Sequence, residues 1–276
     1  MERLMRACAM LIVIVVLFAG AARGDECDVT WESVGEDFEA LFEAPFHMDQ
    51  DAAYLTLGVT AFTGASIVWF DDDVDSWVRR QPDSVPYNAL HQLSRLAGWY
   101  GASNKNAFIM YGAVTAAVAA GGAIADDDYV MDTAALMLES GVFTFALNAA
   151  VKLIIGRKRP HSGESHQFEF LVGANDSDTQ SFFSGHTAAA FAGAGVAAGR
   201  HPHWYVEVPS YLFAVAAGWQ RVDSRAHWLS DVVAGGFFGY AIAELLVDRH
   251  ECPPEGTPEG TMSGAMTPTV SFTWRF

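Results

Sequence analysis

The sequence predicts an all-α protein, a bundle of about six core helices, and three observations carry this. Six long stretches rich in Ala, Leu, Val and Phe run from Ala52 to Phe70, Asn106 to Ala125, Thr133 to Ile155, Ser184 to Gly199, Ser210 to Gln220 and Trp228 to Val247. Acidic or Pro/Gly punctuation separates them, as at Asp71-Asp72-Asp73, Asp126-Asp127-Asp128 and Arg159-Pro160. Hydrophobic residues make up 51% of the 276 positions, which excludes a disordered or fibrous chain.

Taken in order, residues 1–24 read as an export signal: Arg3 and Arg6, an apolar run from Ala7 to Phe18, then Ala19, Gly20, Ala21 and Ala22 before Asp25 and Glu26. Cleavage is expected after Ala21 or Gly24. The alternative is an uncleaved anchor, for which the run is short. Residues 25–51 form an N-terminal segment, and residues 52–248 hold the helical domain. Within that domain Leu90, Leu93, Ala97 and Tyr100 recur on one face, so Asn88 to Tyr100 is a further amphipathic helix. The two Asp triplets lack the Gly and the distant Glu of a calcium loop, and are expected to cap helices and meet solvent. In the tail, residues 249–276, composition shifts to Pro, Gly, Thr and Met. Val270, Phe272, Trp274 and Phe276 alternate there as a docked strand would.

Export leaves Cys27 and Cys252, an even pair in an oxidising compartment. Six antiparallel passes between them return the chain to its starting end, which makes the two a disulfide candidate; two free thiols are the alternative. The net charge of −17 argues against a nucleic-acid partner, whose phosphates need the opposite sign. With only 16 Lys and Arg, the places where cations gather are informative.

They gather in three polar clusters at helix ends. The first runs from Lys152 through Arg157 and Lys158 to Arg159-Pro160. Lys152 and Arg159 are seven apart, two helical turns, and would share a face if the helix persists, while Pro160 biases Arg159 away from helix. The second is Phe183-Ser184-Gly185-His186-Thr187 before an Ala/Gly-rich helix, where free backbone amides and a close-approaching Gly suit an anion. The third spans Gln220-Arg221 to His227 and Asp231. His227 and Asp231 are four apart and can hydrogen-bond along a helix, fixing one imidazole tautomer and freeing the other nitrogen. Each cluster alone has an ordinary reading: a solvated helix end, an N-cap, a surface ion pair.

Together the clusters resemble the type 2 phosphatidic acid phosphatase superfamily, which includes bacterial class A acid phosphatases and vanadium haloperoxidases. Its pattern is Lys, six residues, Arg-Pro; then Pro-Ser-Gly-His; then Ser-Arg, five residues, His, three residues, Asp. Lys152, Arg159 and Pro160 match the first part, Ser184, Gly185 and His186 the second, and Arg221, His227 and Asp231 the third. Phe183 stands in place of the motif Pro and Gln220 in place of the Ser.

The resemblance implies a phosphatase acting on a phosphorylated lipid or a small-molecule phosphoester, or on a pyrophosphate. In it His227 attacks phosphorus, Asp231 orients His227, and His186 serves as acid and base. Lys152, Arg159, Arg221, Ser184 and Gly185 hold the phosphate oxygens, with no metal and no cofactor required. The alternatives are a vanadium-dependent haloperoxidase and a non-catalytic envelope protein on the same fold.

Ala52 to Phe70 and Asn106 to Ala125 are long enough to span a bilayer. Cations, however, crowd the active-site end: Arg79, Arg80, Arg95, Lys105, Arg157, Lys158, Arg159, Arg221 and Arg225, against Arg200, Arg249 and Arg275 elsewhere. If all six stretches span, that bias puts catalysis in the cytoplasm, whereas an exported phosphatase faces the periplasm. The expectation is a membrane-associated domain exported whole to the periplasm or cell envelope, with a multi-pass membrane protein as the alternative.

Overall fold

Capping chemistry sets where most of the helices begin. The computed structural model describes residues 29–163, 168–170 and 177–251; the export signal, Cys27, Cys252 and the tail beyond Glu251 lie outside these. Helix α1 (Trp31–Glu43) was not expected from the sequence. The Thr30 hydroxyl accepts from the Ser33 amide at 3.2 Å and Ser33 Oγ accepts from the Thr30 amide at 2.9 Å, a reciprocal cap. Asp49 starts α2 (Gln50–Ala65) by accepting from the Ala52 amide at 2.7 Å.

The first Asp triplet does not end this helix. Ser66–Phe70 forms a π turn and the chain continues as α3 (Asp71–Arg80), closed by Gln81 in the left-handed region. A π turn takes one extra residue and shifts the helical phase. Asp71 accordingly faces the core, 1% exposed, so the expectation of a solvated cap fails at this residue. Where one amphipathic helix was expected, the structure has α4 (Val85–Leu96) and a single turn, α5 (Gly98–Gly101). Ser103 caps α6 (Asn104–Ala125), and Asp127 of the second triplet caps α7 (Asp128–Ile154), as expected of that triplet.

After α7 a short antiparallel pair forms, β1 (Ile155–Arg157) with β2 (Phe168–Phe170), in register Ile155 to Phe170. Then follow α8 (Gly185–Arg200), α9 (Trp204–Asp223) and α10 (Leu229–Arg249). Helix α9 starts six residues before the expected Ser210, carrying Pro209 in its second turn.

Helix α8 is the axis of the bundle: most of its small residues are buried, and α7, α9 and α10 pack around it. Small side chains make that packing possible. A Cβ on Gly235 of α10 would lie 2.5 Å from the Ser184 carbonyl oxygen, so only glycine lets α10 approach the start of α8. Beside this axis Val29, Leu136, Val196, Leu246 and Val247 form the main apolar cluster. The periphery is apolar as well. Four helices are long and apolar enough to cross a membrane: Gln50–Arg80, Asn104–Ala125, Asp128–Ile154 and Leu229–Arg249.

Candidate active site

Six of the eight residues singled out from the sequence line one cavity of about 220 Å³: Lys152, Arg159, Gly185, His186, Arg221 and His227. The other two, Ser184 and Asp231, are fully buried. Ser184 caps α8, and its amide donates to the Asp231 carbonyl at 3.0 Å, which ties the second cluster to the third.

Lys152 comes from the last turn of α7. Arg159 joins it by a different route from the shared helical face expected, because α7 stops at Ile154 and the chain runs on as a strand. Arg159 itself is extended, as a residue before proline should be. Its Nη1 donates to the Ala226 carbonyl at 2.8 Å and lies 3.4 Å from His227 Nε2; its Nη2 donates to the Gln180 carbonyl at 3.2 Å. Arg221 donates from Nη1 to the Gly101 carbonyl and, at 3.3 Å, to Gln220 Oε1. Gln220, which replaces the motif Ser, is thus a neighbour of the site.

His227 is buried, and its Nδ1 lies 2.7 Å from the Ser181 carbonyl oxygen. A carbonyl only accepts, so Nδ1 carries the proton and, in the neutral ring, Nε2 keeps its lone pair. Burial, then Arg159, Lys152 and Arg221, hold the imidazole well below its ordinary pKa, which keeps it neutral. His186 sits in the first turn of α8. Tyr100 Oη donates to its carbonyl at 2.8 Å, and its Nε2 has no hydrogen-bond partner among the described residues. Burial, followed by the Arg221 charge, lowers its pKa to about 3.

The direct His227–Asp231 hydrogen bond expected from the i, i+4 spacing does not form. His227 precedes α10 and is not on it, and Asp231 Oδ2 is 3.7 Å from Nδ1. That oxygen instead accepts from Ser181 Oγ at 2.5 Å and the Trp228 amide at 2.9 Å. Asp231 therefore positions His227 through Ser181, whose carbonyl holds the ring and whose hydroxyl Asp231 holds.

Behind Asp231 is a residue that sequence reasoning passed over. Arg157 is 0% exposed, donates to Asp231 Oδ1 at 2.5 Å and to Ser230 Oγ and Asp71 Oδ2 at 2.7 Å each, and stacks near the Phe168 and Trp228 rings. The sequence offered one signal for it, an arginine two residues before Arg159. Asn148 was missed too. It lies one turn before Lys152 on α7, lines the cavity, and donates from Nδ2 to the Phe183 carbonyl at 2.8 Å. A Cβ on Gly185 would come within 2.7 Å of Asn148 Oδ1, which explains the glycine. Phe183, in place of the motif Pro, is fully buried and stacks on Phe238 at 4.8 Å.

The cavity therefore offers a neutral imidazole nitrogen, a second imidazole, three basic side chains and the start of a helix. The other half of its lining is apolar, with Phe108, Leu138 and Phe145 among the residues. No curated protein and no solved structure matches the chain. Residues 132–251 match the model of the PAP2 superfamily, a stretch that contains all three motifs.

Proposed function

We propose that the protein is a membrane-embedded phosphatase that hydrolyses phosphomonoesters or pyrophosphates, with a phosphorylated lipid as its substrate class, through a phosphohistidine at His227. The observation that carries this reading is the aim of His227. Its Nδ1 is committed to the Ser181 carbonyl, which leaves Nε2, 3.4 Å from Arg159 Nη1, as the ring nitrogen for chemistry in a cavity that His227 lines with Lys152, Arg159 and Arg221. The match to the PAP2 superfamily model supports phosphatase-type activity. The apolar half of the cavity suits a substrate with a hydrocarbon portion next to its phosphate.

In the first step the His227 Nε2 lone pair forms a bond to phosphorus as the bond to the ester oxygen breaks. His186 delivers a proton to the departing alkoxide. The three cations hold the non-bridging oxygens and stabilise the charge that gathers on them in the transition state. In the second step His186 takes a proton from water, the water oxygen bonds to phosphorus, and the phosphorus–nitrogen bond breaks to return neutral His227. A resting His186 of such low proton affinity does not contradict its role as acid. The cations that repel its proton are the groups an incoming phosphate would neutralise, so substrate binding raises its affinity for a proton.

Exposure supports the membrane. The most apolar stretches of Gln50–Arg80 and Asn104–Ala125 are only 11% and 17% buried. Trp69, Phe70, Ile109, Val114 and Ile124 are left facing outward, more apolar surface than a domain in water tolerates. The cation count that argued against spanning also weakens. Arg157 is buried in the core, Arg159 and Arg221 line the cavity, and Arg225 pairs with Asp75 at 2.6 Å, so these are not loop charges available to orient a helix.

The test is phosphate release by the purified protein in detergent, from a chromogenic phosphoester and from a lipid phosphate in mixed micelles. Turnover should survive EDTA, be inhibited by vanadate, and vanish in His227→Ala. Full activity in that variant overturns the mechanism. Retention in the pellet after alkaline carbonate extraction is the result expected of the spanning helices, and release into the supernatant would contradict them.

A further inference from the structure

More than 10 residues of α7 separate Lys152 from Glu139, roughly 20 Å along the axis. Here, on a face of α7 that does not line the cavity, a second group of chemically capable side chains meets. Asp37 of α1, Glu139 of α7 and His250 just past α10 are all buried, and they offer one ligand atom each within 4.8 Å of one another. None of the three lines the catalytic cavity. We propose that these residues form a site for one divalent cation of the zinc or manganese class, which fastens α1 to the bundle.

The state of Glu139 carries the inference. Its side chain is 1% exposed, and neither carboxylate oxygen has a hydrogen-bond donor. What faces it is the Asp37 carboxylate, with which it can share only a proton or a cation. A buried carboxyl turned onto a second one is costly unless a shared proton or a cation compensates it, and the His250 imidazole beside the pair completes a donor set that suits a cation.

Arg249, the cation that acts on Glu139, is engaged with other carboxylates. Arg249 Nε donates to Asp37 Oδ1, and its Nη2 is 3.9 Å from Glu36, so this guanidinium serves Asp37 and a surface carboxylate. Asp37 Oδ2 lies 2.8 Å from His250 Nε2, a separation that two ligands on one ion also adopt. A metal ion would take the place of the imidazole proton between them, releasing that proton, and accept Glu139 as its third ligand. Two carboxylates and one imidazole suit zinc or manganese, whose bonds to such atoms are about 2.0–2.2 Å.

The experiment uses the full-length protein in detergent, stripped with EDTA and dialysed to equilibrium against Zn²⁺, then Mn²⁺, with bound metal counted per chain. One ion per chain and a melting temperature several degrees above that of the stripped protein are expected, since a ligand bound only by the folded state stabilises it. Glu139→Gln and Asp37→Asn should each lose the ion. Glu139→Gln keeps the shape of the side chain and supplies a donor to Asp37, so it should fold, with circular dichroism as the check; if it does not, His250→Gln is read in its place. No stoichiometric metal on the wild type overturns the proposal and leaves a proton shared by Asp37 and Glu139 as the account of the cluster. Retention of the ion by either folded variant overturns it as well. Neither result touches the phosphatase reading, because turnover is not the readout.

Discussion

Two clusters along α7 bury charge in opposite ways. Around His227 the surplus is positive: Lys152, Arg159 and Arg221 converge on a cavity of about 220 Å³. Around Glu139 it is negative, and Asp37, Glu139 and His250 are packed against one another outside that cavity. A cavity with surplus cations can take an anion and release it again. Carboxylates closed in by packing can only keep what compensates them. The difference separates a site built for turnover from one built to hold, and helix α7 carries a member of each, Lys152 and Glu139.

The largest effect should fall on turnover at the cavity end alone. His227→Ala should cost at least about 10⁴-fold in kcat, the order seen when a nucleophile is removed, whereas Glu139→Gln should leave the steady-state rate of the folded protein unchanged. A loss of activity in Glu139→Gln comparable to that of His227→Ala would erase the distinction between the two clusters. The next effect is on stability. Arg157→Met leaves the buried Asp71 and Asp231 carboxylates without their common partner and should cost about 3–5 kcal/mol, read as a lowered unfolding midpoint. Replacing Arg221 by Gln should lower kcat/KM by about 10² to 10³-fold, as the loss of one group that stabilises transition-state charge does elsewhere.

The smallest effect is on pH dependence. His186 and His227 both have pKa values below the ordinary histidine value, so below about pH 6.5 the unfolded chain binds more protons than the folded one. Stability should therefore fall as the pH drops below about 6.5, by up to about 1.4 kcal/mol per pH unit for each histidine. For His186 the fall should end near its folded pKa of about 3. Melting curves between pH 7.5 and pH 5 check this. His186→Gln should show a shallower decline than the wild type, and an equal slope would remove His186 as its source.

Much of this was legible in the sequence, for reasons that differ from residue to residue. Helix content and the three motifs could be read because apolar length and residue spacing are local properties. Lys152, Arg159, Gly185, His186, Arg221 and His227 do converge. The route to convergence was not legible. The end of α7 at Ile154 depends on strand pairing with Phe168–Phe170, a long-range contact that the local pattern does not encode.

Asp71 was misread because three consecutive acidic residues look solvated, and a π turn five residues long is what rotates one of them inward. The direct His227–Asp231 contact was expected from helical spacing, but the helix begins only at Leu229. Asp37 and Glu139 carried no signal at all, since the residues that meet there are about 100 positions apart in both directions.

The measurement that tests the central claim most directly is capture of the covalent intermediate. The purified protein is mixed with a ³²P-labelled phosphoester, quenched in alkali within milliseconds, and digested. The account expects label on the peptide containing His227, stable to alkali, labile to acid, and absent from the His227→Ala variant. Label on another residue, or hydrolysis with no labelled protein in a wild type shown to release product in a burst, would contradict it.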